Sequence, residues 1–348
     1  MRSGLLPARV VHVHPTRACN LSCAHCYSSS SPGIRSSLHP EFLLEALRAF
    51  RGDGYEVLSI SGGEPLVYRG LVELVLGAVA LGYRVHIVTN GLLLTKARLA
   101  ALQGHVHLIA VSFDGAEEIH NQVRGRPDAF RKANAALEVL AEAQVPFGMA
   151  FGVSRRSLAD LPWAFTRASE VGASLLHLRP LVNQGRAREL PDDWMLSQED
   201  CARVVLIGDL LNAGPAHPPH VQVDLATSQE LIGARSQFEV LQEGGSVTAL
   251  SDAVNPLVID ERGRCLAFTY GIHPRFTVAD LKGDWRGELA RFKCQGIPSI
   301  TRLLEAAFDR AAGEGDGYLD WFEHLTAVSH SIPAQHLSQP DIKTTSRL

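Results

Sequence analysis

The sequence predicts an α/β protein whose first half is an open barrel of (β/α)6 type. Two observations carry that reading. Between residues 9 and about 180, short β-rich runs alternate with longer amphipathic stretches, and strands separated by helices fold as right-handed βαβ units with a parallel sheet. The turn residues fall repeatedly at the carboxyl ends of those runs, on the face where α/β barrels carry their active sites. Eight units would close a full barrel and this segment has six, so an open barrel leads, with an ordinary doubly wound sheet as the alternative.

In chain order, the strand pattern covers residues 10–14, 56–60, 84–88, 107–111, 147–153 and 174–178, rich in Val, Ile and Phe. Helical periodicity covers residues 41–51, 71–81, 95–102, 130–143 and 158–170, with apolar positions three and four apart. After Pro180 the alternation stops. A polar linker, Val182-Asn183-Gln184-Gly185-Arg186-Ala187-Arg188, leads to a helical segment at 197–213 and a Pro- and His-rich loop at 214–220. Residues 256–285 read as one or two hairpins, the first turning at Glu261-Arg262-Gly263, and two helices follow at 300–312 and 319–329. The domain expectation is a barrel over 1–188, a helical linker or cover over 189–254, a smaller α+β unit over 255–335, and a flexible tail over 336–348.

Composition narrows the function classes. The 348 residues are 46% hydrophobic and 20% charged, which excludes wholesale disorder. With 33 basic and 37 acidic residues the net charge is −4, so no electrostatic footprint for nucleic acid is expected. No apolar run reaches membrane-span length, and the N-terminal residues show no signal-peptide core. The expectation is a soluble, cytoplasmic protein with no nucleic-acid or membrane partner.

Three of the six cysteines crowd into eight residues, Cys19-Asn20-Leu21-Ser22-Cys23-Ala24-His25-Cys26, directly after the first strand. In a reducing compartment such a triplet points to metal chemistry rather than disulfides. Three thiolates can hold three irons of an iron–sulfur cluster and leave one iron open. A zinc site needs a fourth ligand, for which His12, His14 and His25 are at hand, so zinc stays open at this point. Ser61-Gly62-Gly63-Glu64-Pro65 follows the second strand, Thr89-Asn90-Gly91 the third and Ser112-Phe113-Asp114-Gly115 the fourth. Paired glycines let a backbone approach a ligand closely, and Glu64 can accept from an ammonium group.

The Cys19-x3-Cys23-x2-Cys26 spacing together with Gly62-Gly63-Glu64-Pro65 resembles the radical S-adenosylmethionine (radical SAM) superfamily, in its PqqE/MoaA/NirJ and SPASM/twitch group. That resemblance covers residues 9–188. It implies a partial (β/α)6 TIM-type barrel in which Cys19, Cys23 and Cys26 hold one 4Fe–4S cluster whose fourth iron binds SAM. It implies reductive cleavage of SAM to a 5′-deoxyadenosyl radical that takes a hydrogen atom from a substrate. By the same resemblance Gly62, Gly63, Glu64 and Pro65 bind the SAM amino group, with Asn90 beside them. Ser112, Asp114 and Arg124 serve the ribose, the carboxylate or the substrate, and Ser154 reaches the ribose. Backbone groups of the exit stretch, Leu181 among them, contact adenine. A solvated surface arginine is the bland alternative for Arg124, and a plain strand end for Ser154. The resemblance favours a peptide or protein substrate, modified by crosslinking, epimerisation or related tailoring. A tetrapyrrole or another small metabolite is the alternative, and an external electron donor such as flavodoxin or ferredoxin is implied. A non-catalytic metal-binding scaffold is the reading from another class.

In the second half, Val258-Ile259-Asp260-Glu261-Arg262-Gly263-Arg264-Cys265 looks like the first hairpin of a SPASM or twitch domain. An auxiliary cluster needs about four ligands, whereas Cys265 and Cys294 stand apart and Cys201 lies further off. The expectation is a degenerate domain with buried cysteines and no second cluster.

Overall fold

The computed structural model describes residues 8–214, 219–235, 249–313 and 315–333. The expectations for residues 1–7, for residues 215–218 of the Pro- and His-rich loop, and for the tail at 336–348 lie outside the described residues.

Seven consecutive parallel strands run to one edge of a single sheet. They are β1 (Val10–Val13), β2 (Val57–Ile60), β3 (Arg84–Thr89), β4 (Leu108–Phe113), β5 (Phe147–Val153), β6 (Leu175–Pro180) and β7 (His220–Val223). The first six match the six expected runs, with ends shifted by a residue or two. The seventh corrects the expectation: part of the stretch expected as a loop and helical cover extends the barrel. Its His-Val-Gln-Val alternation puts Val221 in the core and is too short and polar to read as a strand without its neighbour β6.

The C-terminal hairpins join the same sheet. After the two-residue β8 (Ala226–Thr227) come β9 (Leu257–Ile259), β10 (Arg264–Ala267) and β11 (Thr277–Asp280); β12 (Tyr318–Leu319) pairs with β8 in a small ribbon. β9 runs parallel to β1, and β10 and β11 continue antiparallel, so the order is β11-β10-β9-β1-β2-β3-β4-β5-β6-β7. The turn between β9 and β10 falls where expected. Asp260 accepts there from the backbone N–H of Arg262 and Arg264, both at 2.9 Å.

Side-chain alternation separates the two faces of the strands. Val11 and Val13 of β1, Val85 and Ile87 of β3, and Met149, Phe151 and Val153 of β5 belong to the main hydrophobic core. That core includes Leu43, Leu47 and Phe50 of helix Pro40–Gly52 and Leu137 and Leu140 of helix Ala129–Glu142. The other face carries His12 and Ser59, then His86, and on later strands Ser112, Ala150, His177 and Gln222 in register. Ser59 is buried and His12, His86, Ser112, His177 and Gln222 are half-buried, as suits a face that lines a polar interior.

Helix Glu117–Arg124 was not among the expected helices. It is short and polar, and only His120, Val123 and Arg124 are buried. Two signals could have found it. Glu117 and Glu118 occupy the positive end of the helix dipole, and Gly125 caps the other end at φ +64°. In the second half Cys265 is fully buried and Cys201 nearly so, but Cys294 is exposed, against expectation.

Candidate functional site

The cysteine loop lies at the carboxyl ends of the strands, and three chain segments fasten it. From the turn after β2, the N–H groups of Gly63 and Glu64 donate to Thr16 O (2.8 Å) and Ala18 O (3.0 Å). From helix Glu117–Arg124, Val123 O accepts from Ala24 N at 2.9 Å. From the stretch leaving β6, Arg186 donates three times: its N–H to Cys26 O (3.1 Å), Nε to Cys23 O (2.8 Å) and Nη2 to Ser30 O (2.8 Å). Arg186 had been read only as part of a polar linker.

The adjacent glycines are explained by this packing. A Cβ on Gly63 would sit 2.2 Å from Ala18 O, and Gly62 holds φ +101° with a Cβ position 2.8 Å from Thr16 O. Both therefore let the loop's own backbone approach, where a close ligand had been the expected reason.

Each thiol has a donor aimed at it. Cys19 Sγ accepts from Leu21 N at 3.4 Å, with Asn90 Nδ2 at 3.9 Å. Cys23 Sγ faces Arg124 Nη1 at 3.8 Å, and Cys26 Sγ accepts from Ser30 N at 3.3 Å beside Ser28 Oγ at 3.4 Å. Burial pushes the Cys19 thiol up to about 12. It also raises Cys23, against the pull of Arg124. Such thiols stay protonated until a cation replaces the proton. All three are free. Among the described residues no three His, Cys, Asp or Glu side chains converge on a single ion position; thiolates that each take a different iron of a cubane need no such convergence. The donor set fits a 4Fe–4S cluster: three soft sulfur ligands, each with the kind of hydrogen bond that tunes cluster potential.

Around the loop, the sequence-derived residues take distinct places. Glu64 is buried, and its carboxylate accepts from Leu66 N (3.0 Å) and Thr89 Oγ1 (2.6 Å) at Oε1 and from Asn90 N (2.8 Å) at Oε2. It braces the end of β2 to the end of β3. Pro65 opens the short turn Pro65–Val67 that follows. Asn90 reaches the cysteine loop through Nδ2 to Asn20 Oδ1 at 2.8 Å.

Asp114 is the electrostatic centre. Arg124 meets it twice, Nε to Oδ2 at 2.5 Å and Nη2 to Oδ1 at 3.0 Å, and His25 Nε2 lies 2.7 Å from Oδ1. Burial alone would raise this carboxyl, but Arg124 and His25 together hold it well below the usual carboxylate range. Arg124 is 8% exposed, so the solvated alternative is overturned: the guanidinium links Asp114 to Cys23. Gly152 on β5 makes room for this group, because a Cβ there would stand 3.1 Å from Asp114 Oδ1.

Ser112 faces the barrel interior opposite Ala150. Ser154 is buried and engaged with Ser157 in a capping box for the turn Arg155–Asp160. The Leu181 N–H donates to Val153 O at 2.8 Å, so only its carbonyl remains for a ligand.

The interior continues toward β6, β7 and the last helix. Asp320 caps helix Trp321–Ser331 by accepting from Phe322 N and Glu323 N. Burial, with the charge of Asp224 behind it, pushes the Asp320 carboxyl up to about 7. Between the ordinary Asp range and that value the folded chain keeps a proton the unfolded chain has lost, so this group lowers stability as pH rises. Asp320→Asn keeps a capping oxygen and removes the charge. Its urea midpoint is expected to gain on the wild type between about pH 5 and about pH 8; an equal difference at both pH values would contradict this.

Comparison with known proteins agrees with the geometry. A family model described as Radical SAM superfamily matches residues 13–162. The matched segment, residues 13–162, is a radical SAM domain. The chain is 35% identical over 187 residues to an AdoMet-dependent heme synthase of Methanosarcina barkeri, covering 52% of this chain and 53% of that protein. It is 28% identical over 176 residues to the sporulation killing factor maturation protein SkfB of Bacillus subtilis, covering 50% and 43%. The chain thus spans about half the length of the curated relatives it matches. Among solved structures, anSMEcpe with bound AdoMet aligns with a TM-score of 0.61 at 16% identity over 92% of this chain and 89% of that one. Streptococcus suis SuiB bound to S-adenosylmethionine gives 0.61 at 14% over 80% and 64%. At these identities the structural likeness shows the fold. The radical SAM family implies a 4Fe–4S cluster and SAM as cofactors, and the three thiols above fit that cluster.

Proposed function

We propose that this chain is a radical SAM enzyme that removes a hydrogen atom from an organic substrate seated at the barrel mouth. The observation that carries the reading is the fastened loop with a donor on each of its three thiols. When bound, a cluster holding SAM supplies one-electron reductive cleavage of SAM and, through it, hydrogen-atom abstraction. The chain's own residues do the rest. Cys19, Cys23 and Cys26 would hold three irons. Gly63, Val123 and Arg186 keep the loop in place without help from a ligand. Glu64 and Asn90 tie that loop to β2 and β3, and the Asp114–Arg124 pair fixes a positive charge beside Cys23. Gly152 and Ala150 leave space on one wall for the SAM ribose and substrate. The turn between β9 and β10 and the segment after β10 lie against the loop: Tyr270 stacks on His14 (5.0 Å between centroids) and donates to Glu261 at 3.0 Å, and Glu261 lies 3.7 Å from Arg17. Such a cover keeps water and stray hydrogen donors away from the reacting carbon.

A peptide or protein substrate is the first reading, supported by the relatives named SkfB and AlbA, a subtilosin biosynthesis protein. A tetrapyrrole is the second, supported by the relatives named as heme synthases. An external one-electron donor, such as flavodoxin or ferredoxin, completes the scheme. No helix among the described residues is long and apolar enough to cross a membrane. The test is anaerobic reconstitution followed by dithionite and SAM. The expected result is 5′-deoxyadenosine, with deuterium carried into it from a labelled peptide under the first reading or from a labelled porphyrin under the second. No 5′-deoxyadenosine from iron-loaded protein would overturn the enzyme reading and favour a scaffold.

A further inference from the structure

A polar group outside the cysteine site occupies the same face of the barrel. His177 and Arg179 alternate along β6, Gln222 stands opposite His177 on β7, and Asp224 lies just past the strand. His177 Nε2 is 2.6 Å from Asp224 Oδ1, Gln222 Nε2 donates to the same oxygen at 3.3 Å, and Arg179 Nε lies 3.3 Å from Asp224 Oδ2. Asp224 is therefore held at Oδ1 by His177 and Gln222 and forms an ion pair with Arg179 through Oδ2. Among the described residues the Nη1–Nη2 edge of Arg179 has no partner, and its side chain is 58% exposed.

The groups that feel its charge show what lies near Arg179. Arg179 acts on His12 and His14 of β1, on Tyr27 beside Cys26, and on Asp320. In a flat sheet β1 and β6 would stand five strand spacings apart, roughly 24 Å, too far for such coupling. The sheet curls, and Arg179 projects into its interior between the cysteine loop and the last helix. On the neighbouring strand the facing positions are Ala150 and Gly152, so no bulky side chain separates Arg179 from the wall that backs Asp114.

We propose that Arg179, oriented by Asp224, His177 and Gln222, is the anchor for a carboxylate on the substrate at the barrel mouth. A guanidinium in an ion pair on its Nε side keeps its two remaining nitrogens as a planar fork that matches a carboxylate. Asp320 faces the same space without fully opposing an anion, since near neutrality its carboxyl keeps part of its proton. The anchor deepens the function proposed above and rests on it. The shared ligand chemistry is a carboxylate, which a porphyrin carries as propionates and a peptide as Asp, Glu or its C-terminus.

The test uses the full chain, reconstituted anaerobically, with two acid probes and their neutral counterparts. These are coproporphyrin III with its tetramethyl ester, and N-acetyl-Ala-Glu-Ala-amide with the corresponding glutamine peptide. Binding is measured to wild type, Arg179→Gln and Arg179→Lys, with circular dichroism of each. At least one acid probe is expected to bind wild type and its neutral counterpart to bind poorly. Arg179→Gln should weaken the acid probe about 10–100-fold, and Arg179→Lys should lose less. Which acid binds separates the two sources. The anchor is overturned if neither acid binds, if ester or glutamine peptide binds equally well, or if Arg179→Gln binds like wild type. It is also overturned if that variant weakens SAM by the same factor, which would place the fork on SAM. Formation of 5′-deoxyadenosine by the same wild-type preparation reports on the enzyme reading separately.

Discussion

Alanine in place of Cys19, Cys23 or Cys26 is expected to remove the bound iron and with it all 5′-deoxyadenosine formation. Each thiol would hold its own iron, so none can stand in for another. The loss should exceed the roughly 10–100-fold typical of substitutions that only support a ligand. The fold should survive, because the loop is fastened by bonds from Gly63, Glu64 and Arg186 that do not involve sulfur. Iron per chain and far-UV circular dichroism on the same preparations check both halves. A variant that keeps its iron would show that the thiol is no ligand.

The second large effect belongs to Asp114→Asn. This carboxylate is the partner of a guanidinium that is itself buried, with side-chain exposures of 4% and 9%. Removing one member of a buried ion pair leaves the other charge uncompensated, at a cost of about 3–5 kcal/mol. Here the stranded charge is Arg124, 3.8 Å from Cys23 Sγ, and His25 loses the charge of its partner as well. Urea unfolding of the iron-free chain should show the midpoint falling with an unchanged slope. A change below about 1 kcal/mol, the range of exposed pairs, would mean that solvent or another group reaches Arg124.

How much of this was legible in the sequence depended on whether the signal was local. The six strands were readable because Val, Ile and Phe recur at short spacing and are followed by turn residues. The cysteine triplet was readable because its spacing is itself the chemistry. β7 was not, because four residues with two polar members become a strand only against β6. Helix Glu117–Arg124 hid behind its polarity, although Glu117, Glu118 and Gly125 marked its ends. The duties of the site residues were the least legible. Glu64 looked free to receive an ammonium, yet Thr89, Asn90 and Leu66 already donate to it. Arg124 looked equally plausible in solvent, and only its pairing with Asp114 fixes it inside. Arg186 sat in a stretch that read as linker, since nothing in its neighbours reveals that Cys23, Cys26 and Ser30 are its targets. Sequence tells which groups are available; which lone pair each one meets is decided by segments far away in the chain.

The central claim is that three thiols hold a cluster whose remaining iron is left for SAM. Electron paramagnetic resonance of the dithionite-reduced, reconstituted chain, recorded with and without SAM alongside an iron count, tests it most directly. About four irons per chain and a signal that changes shape when SAM is added are the expected result. A signal indifferent to SAM, or a chain that takes up zinc and no iron, would contradict it.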